Sequence, residues 1–203
     1  MARRPRQYVP GFPMHVIHRG VNRQNIFADF ADRMQYRKIM IDAASRNDCK
    51  VHCYVLMDNH VHLLISPSDK GSLAGMMQSV GVRYVRYFNT AYQRTGGLWE
   101  GRYWASVIDT DAYLQGCHRY IELNPVRAGR VQDPVDWIWS SCRFHALGEA
   151  DYVVTPHAWY TELGTTAEQR QRRYQALLRT GSSDNELDAI RRGAWGLTPL
   201  KSA

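Results

Sequence analysis

The sequence predicts an α+β fold: a small, antiparallel-rich sheet with helices packed on it, followed by a mostly helical C-terminal tail. Three observations predict it. Short runs of strand-forming residues, Met14 to Arg19, Lys50 to Leu56 and the stretch opening at His60, are interleaved with longer stretches of helical periodicity. Asp58-Asn59, between the second and third runs, is a tight-turn pair that folds one strand back on the other. The resulting order, βα ββα βα, stacks helices on a sheet. At 203 residues, 44% of them hydrophobic, the chain can bury a full core and is too apolar for disorder.

The elements follow in order. Met14 to Arg19 is the first strand, with Gly20 and Asn22 turning the chain. Ala28 to Arg46 reads as an amphipathic helix in which Met34, Ile39 and Ile41 are apolar and Arg33, Arg37 and Lys38 are mostly solvated. The hairpin follows, and then a helix from Ser72 to Tyr92 that ends before Gly96-Gly97. Arg102 to Asp109 is the fourth strand. Asp109 or Thr110 caps a third helix, Asp111 to about Asn124, which Pro125 is expected to stop. From Asp133 the chain reads as irregular until a helix from Thr166 to Arg179, a Gly181-Ser182-Ser183 loop and a short helix from Asp184. This divides the chain into a domain over 1–150, with a basic N-terminal arm, and a helical extension over 151–203.

The net charge is +7, and an excess of that sign points to a polyanionic partner, most often nucleic acid. Cys49, Cys53, Cys117 and Cys142 lack the close-paired spacing of zinc sites and read as reduced core thiols of a cytoplasmic protein. No apolar stretch follows the arginine-rich start, so no signal peptide is expected, and no run approaches a membrane span.

The chemistry centres on His60-Val61-His62. Side chains alternate along a strand, so both imidazoles share a face while Val61 and Leu63 anchor the other in the core. Two histidines on one rigid face are a pair of metal ligands. In Tyr120-Ile121-Glu122-Leu123-Asn124-Pro125, Tyr120 and Asn124 stand at i and i+4 of a helix. If that face meets the histidines, the Asn124 amide oxygen completes a nitrogen/oxygen site for a hard divalent ion, Mg²⁺ or Mn²⁺. Tyr120 beside a metal-bound phosphate is then a nucleophile for phosphorus. Against this stand plainer readings: half-buried sheet histidines, a core tyrosine packing with Tyr113 (itself the rival nucleophile), and an Asn124 that only ends a helix. His118 and Glu122 turn away from the Tyr120 face and read as solvated, and His15 and His18 read as surface residues on opposite faces of the first strand.

The set Met57-Asp58-Asn59-His60-Val61-His62, Gly97-Leu98-Trp99-Glu100-Gly101-Arg102-Tyr103 and Arg119-Tyr120-Ile121-Glu122-Leu123-Asn124-Pro125-Val126-Arg127-Ala128 resembles the REP-associated tyrosine transposases. These are single-tyrosine members of the HUH superfamily, named for a His-hydrophobic-His motif. The resemblance runs from about Gly11 to about Ser141. It implies the ferredoxin-like HUH nuclease fold, with cleavage and rejoining of single-stranded DNA at the foot of repetitive extragenic palindromic hairpins through a 5′-phosphotyrosine. It assigns His60 and His62 to the metal, Tyr120 to the nucleophile and Asn124 to the third ligand, where many relatives carry glutamine. It also implies a monomer with Tyr120 acting in cis, although related transposases form dimers that exchange their tyrosine helices.

For DNA contact, Arg83, Tyr84, Arg86 and Tyr87 interleave charge and aromatic rings on the second helix, suiting phosphates and unpaired bases. Arg102, Arg119 and Arg127 flank the expected site, and Arg3, Arg4 and Arg6 form a basic arm able to enter a groove. Two other functions fit the chain. One is a catalytically silent binder of structured DNA or RNA; the other is a metal phosphodiesterase that uses water.

Overall fold

The computed structural model describes residues 9, 11–181 and 183–194. Its centre is a four-stranded sheet in the order β2-β3-β1-β4, every neighbour antiparallel: β1 (Met14–Arg19), β2 (Cys49–Leu56), β3 (His60–Pro67) and β4 (Trp104–Val107). With α1 (Phe30–Arg46) joining β1 to β2 and α2 (Ser72–Ala91) joining β3 to β4, this is the split βαβ arrangement of a ferredoxin-like fold. The fourth strand is shorter than the sequence suggests, because only Trp104 to Val107 find ladder partners, opposite Ile17 back to Met14.

Helices cover both faces. On one, α1 and α2 pack on Val16, Tyr54, Leu56, Val61, Leu63 and Ile65. On the other, α3 (Asp111–Glu122), α5 (Cys142–Leu147), α7 (Ala167–Thr180) and α8 (Asp184–Ala194) pack on Cys53, Val55 and Leu64. A register shift between Val51 and Cys53 explains how these two residues serve opposite cores, since the extra residue of a bulge swaps the pleat. The outer edge of β2 does not stay open. Leu56 N–H bonds the Trp139 carbonyl at 2.8 Å, and Ser141 N–H bonds the Tyr54 carbonyl at 3.0 Å.

Local chemistry sets the boundaries. Asp29 and Asp32 form a reciprocal capping box at the start of α1, Thr110 accepts from the Tyr113 N–H to cap α3, and Thr166 does the same for Gln169 at α7. Pro125 does not end helical structure. The chain leaves α3 at Leu123 and restarts as α4 (Asn124–Arg127), where Pro125 occupies an opening position that needs no N–H. The segment after Asp133 is also more ordered than expected, with a 3₁₀ turn at Pro134–Asp136, α5, and α6 (Ala158–Thr161).

On α1 the expected faces are partly reversed. Ile39 is buried, but Met34 and Ile41 are exposed, while Arg33 is buried and Arg37 half-buried. Arg33 pairs with Asp58 at 2.5 Å and Arg37 with Asp151 at 2.9 Å. The arginine stems thus cover apolar surface while their heads meet acids distant in sequence.

Candidate functional site

The β3 strand presents His60 and His62 on the face toward α3. In the β1 register Arg19 stands opposite His60, Ile17 opposite His62 and His15 opposite Leu64, so His15 lies on the histidine face too. The turn before β3 is pinned from several sides. Asp58 is held by Arg33 and Arg130, its carbonyl accepts from Ile26 N–H, and the Asn59 carbonyl accepts from Gly20 N–H. A turn so held fixes the direction in which His60 leaves it.

The imidazole nitrogens divide cleanly. Nδ1 of His60 is 2.6 Å from the Asn59 side-chain oxygen, and the Asn59 amide is oriented by its own N–H bond to the Arg23 carbonyl. Nδ1 of His62 is 2.9 Å from Nε2 of His15. No described residue hydrogen-bonds Nε2 of either ring. The His60 and His62 centroids are 4.9 Å apart. Burial disfavours the charged imidazole, lowering His60 to about 4 and His62 well below its ordinary value, so both are neutral and able to offer a lone pair.

Tyr120, near the end of α3, brings its ring edge-on to His62 at 5.5 Å and to His15 at 5.9 Å. The guanidinium of Arg127 lies 4.4 Å over the Tyr120 ring and donates to the Tyr120 carbonyl. The structure therefore brings His60, His62, Tyr120 and Arg127 together. Asn124 is half-buried at the start of α4, and no hydrogen bond ties it to either histidine. Tyr113 lies on the α8 side of the helix, its hydroxyl directed at Gly193, with no ring contact to His60 or His62 among the described residues.

The other proposed contact residues are scattered. Arg83 is exposed and pairs with Asp42; Arg86 and Arg102 are exposed. Arg119 pairs with Glu186 and so ties α3 to α8. Tyr84 is wholly buried and donates to the Ile26 carbonyl at 2.6 Å. Arg3, Arg4 and Arg6 lie outside the described residues. The Trp99 motif acts as packing: its indole stacks on His18 at 3.8 Å, and Val21 and Glu100 N–H groups extend the pairing around it.

Four sequence expectations are corrected here. His15 and His18 are buried rather than superficial, because helices or the Trp99 segment cover both sheet faces. His118 and Glu122 do turn from the Tyr120 face, but they turn into a second core rather than into solvent, because α5 to α7 cover that side. Glu122 accepts from Ser141 Oγ at 2.5 Å, His145 Nδ1 at 2.7 Å, Tyr174 Oη at 2.8 Å and Cys53 Sγ at 3.5 Å. Burial alone would raise this carboxyl; the charge of His145 and the bonds from His145, Ser141 and Tyr174 outweigh it and hold the group below its ordinary value. The ligating atoms of Cys53, His118 and Glu122 lie within 4.8 Å of one another, which makes this a candidate metal cluster. His15, His145 and Tyr174 are the site-adjacent residues that sequence reading misses. The alternation of β1 was a signal for His15, but only the register assigns it to His62.

Comparison with known proteins adds the family. One relative, described as a REP-associated tyrosine transposase of Haemophilus influenzae, is 30% identical over 114 residues, which cover 51% of this chain and 62% of that protein. Among solved structures, a REP-associated tyrosine transposase bound to a REP hairpin superposes with a TM-score of 0.59 at 17% identity. That match covers 77% of this chain and 93% of the other and bears on the fold alone. No described helix is long and apolar enough to cross a membrane. Residues 8–124, more than half of the chain and the segment that carries His60, His62 and Tyr120, match the profile of the IS200-like transposases, and the chain belongs to that family.

Proposed function

We propose that this transposase is a metal-dependent endonuclease and strand transferase of single-stranded DNA, acting at the foot of repetitive extragenic palindromic hairpins with Tyr120 as nucleophile. The observation that carries the reading is the meeting of a tyrosine with two neutral histidines whose Nδ1 atoms are engaged and whose Nε2 atoms are not. The hairpin substrate is taken from the relatives named above.

The residues fit a divalent cation at His60 and His62 better than at Cys53, His118 and Glu122. Glu122 would have to surrender hydrogen bonds inside a dry core, whereas the two Nε2 atoms surrender nothing. Asn124 is the residue of this chain proposed to add an oxygen ligand. A divalent cation held there, Mg²⁺ or Mn²⁺, would polarise a scissile phosphate and offset the charge that develops on it. Tyr120 Oη loses its proton and attacks phosphorus. The P–O3′ bond breaks, the 3′-oxygen leaves and takes up a proton, and the 5′-phosphate remains on Tyr120. Arg127, over the same ring, puts a fixed positive charge beside that phosphate. One phosphodiester is exchanged for another, so attack by a free 3′-hydroxyl reverses the step and rejoins DNA without a nucleotide triphosphate. The contact of the Tyr120 ring with His62 of the same chain supports a reaction in cis as part of this proposal.

The test is a denaturing gel of the protein with labelled single-stranded hairpins from repeats flanking its gene, with and without Mn²⁺. A metal-dependent covalent band in the wild type, absent from Tyr120→Phe, is expected. Binding with no adduct would make the chain a silent binder, and cleavage that survives Tyr120→Phe would move the chemistry to water or Tyr113.

A further inference from the structure

His15 takes no part in the chemistry above, yet it is wholly buried against the residues that carry it. Its ring is nearly parallel to that of His62, at 24° with centroids 5.1 Å apart, and its Nε2 is the only described partner of His62 Nδ1. Its own Nδ1 is buried without a partner. The pairing register forces this contact, because His15 is the diagonal neighbour of His62 on the same face.

One proton lies between the two rings, and its owner decides what His62 can do. With the proton on His15 Nε2, neutral His62 accepts at Nδ1 and carries its own proton on Nε2, where it blocks a cation. With the proton on His62 Nδ1, Nε2 of His62 keeps its lone pair. Either arrangement leaves one nitrogen of His15 unpaired, so the surrounding protein locks neither. His60 has no such freedom, because an amide oxygen can only accept and so holds the His60 proton on Nδ1.

We propose that His15 is the positioning residue of the metal centre: it accepts the His62 Nδ1–H and thereby turns the Nε2 lone pair of His62 toward a divalent cation. His15 offers His62 an acceptor at Nδ1, as Asn59 does for His60, but one that can also carry the proton itself. The inference rests on reading His60 and His62 as ligands, and partners of this kind orient ligating histidines generally.

Two measurements on the full-length protein test it, one a titration of metal-free samples and the other on the Mg²⁺-loaded form. Mn²⁺ titration followed by electron paramagnetic resonance compares wild type, His15→Phe, His15→Gln and His62→Ala. His15→Phe keeps a ring but no acceptor and should bind Mn²⁺ about 10- to 100-fold more weakly. His15→Gln restores an accepting oxygen and should recover most of that loss, which a merely structural role for the ring would not predict. Histidine-ring ¹⁵N NMR of the Mg²⁺-loaded wild type should find protons on Nδ1 of both His62 and His15, and this result does not depend on any variant folding. Wild-type Mn²⁺ affinity in His15→Phe, or a proton on His15 Nε2 in the Mg²⁺-loaded protein, overturns the proposal. Mn²⁺ affinity that His62→Ala leaves untouched fails the ligand reading itself and takes the proposal with it.

Discussion

Glu122→Gln separates a buried hub from a solvated helix residue more sharply than any other single change. The carboxylate is fully buried and accepts three short hydrogen bonds, from Ser141, His145 and Tyr174, and one longer bond from Cys53. Glutamine keeps the shape and one accepting oxygen, and its amide can donate to the Tyr174 hydroxyl. What disappears is the charge. Hydrogen bonds to a charged group are worth roughly 1.5–3 kcal/mol and neutral ones roughly 0.5–1.5, so each of the three short bonds loses about 1 kcal/mol. The expected cost is about 3 kcal/mol. In a chain of this size that lowers Tm by roughly 6–12 °C. Urea unfolding followed by circular dichroism, with a parallel thermal melt, reads it out, and the slope against denaturant should not change. A solvated glutamate would change stability by no more than about 0.5 kcal/mol on the same substitution. A measured loss below about 1 kcal/mol would refute the buried hub.

Acid should destabilise the fold well above the carboxylate range. Burial holds His52 at about 4, below its unfolded value of 6.5, so the unfolded chain binds the extra proton between these values. Stability is full above pH 6.5 and falls as pH drops through that window, by about 2 kcal/mol at pH 5 from His52 alone; a melting temperature equal at about pH 7.5 and about pH 5 would contradict this. Gly20→Ala would place a Cβ 2.4 Å from the Gln24 carbonyl oxygen and 2.8 Å from Ile26 Cγ2, and overpacking of this kind costs about 1–3 kcal/mol in urea unfolding. Arg127→Ala removes the cation over Tyr120 and should slow adduct formation at least about tenfold, or about 1.4 kcal/mol. Its melting point should stay near wild type, since an exposed cation–π contact is worth about 0.5–1 kcal/mol.

Much of this was legible in the sequence, and the reasons are local. The strand runs at Met14–Arg19 and from His60, the Asp58-Asn59 turn and a cap at Thr110 are written in neighbouring residues, and the structure keeps them. So is the shared face of His60 and His62. What the sequence hid depends on distant partners. Arg33 and Arg37 look solvated until Asp58 and Asp151 arrive beside them. His118 and Glu122 look solvated because their covering residues, His145 and Tyr174, stand tens of positions away in stretches read as irregular or as tail. Pro125 breaks a hydrogen-bond ladder in isolation, yet at the first turn of a new helix there is no bond to break.

The strip from Trp139 to Ser141 that closes the outer edge of β2 has a consequence for how the chain is made. The ladder groups of Leu56 and Tyr54 wait for partners about 85 residues further on, and at roughly 5–20 residues per second a ribosome needs about 4–17 s to deliver them. For that interval the newborn hairpin offers an unpaired strand to any neighbouring chain. Chains truncated before residue 139 would keep that edge permanently and should aggregate during synthesis. The closing strip is thus a timed guard on the nascent protein as well as a seam in the finished one.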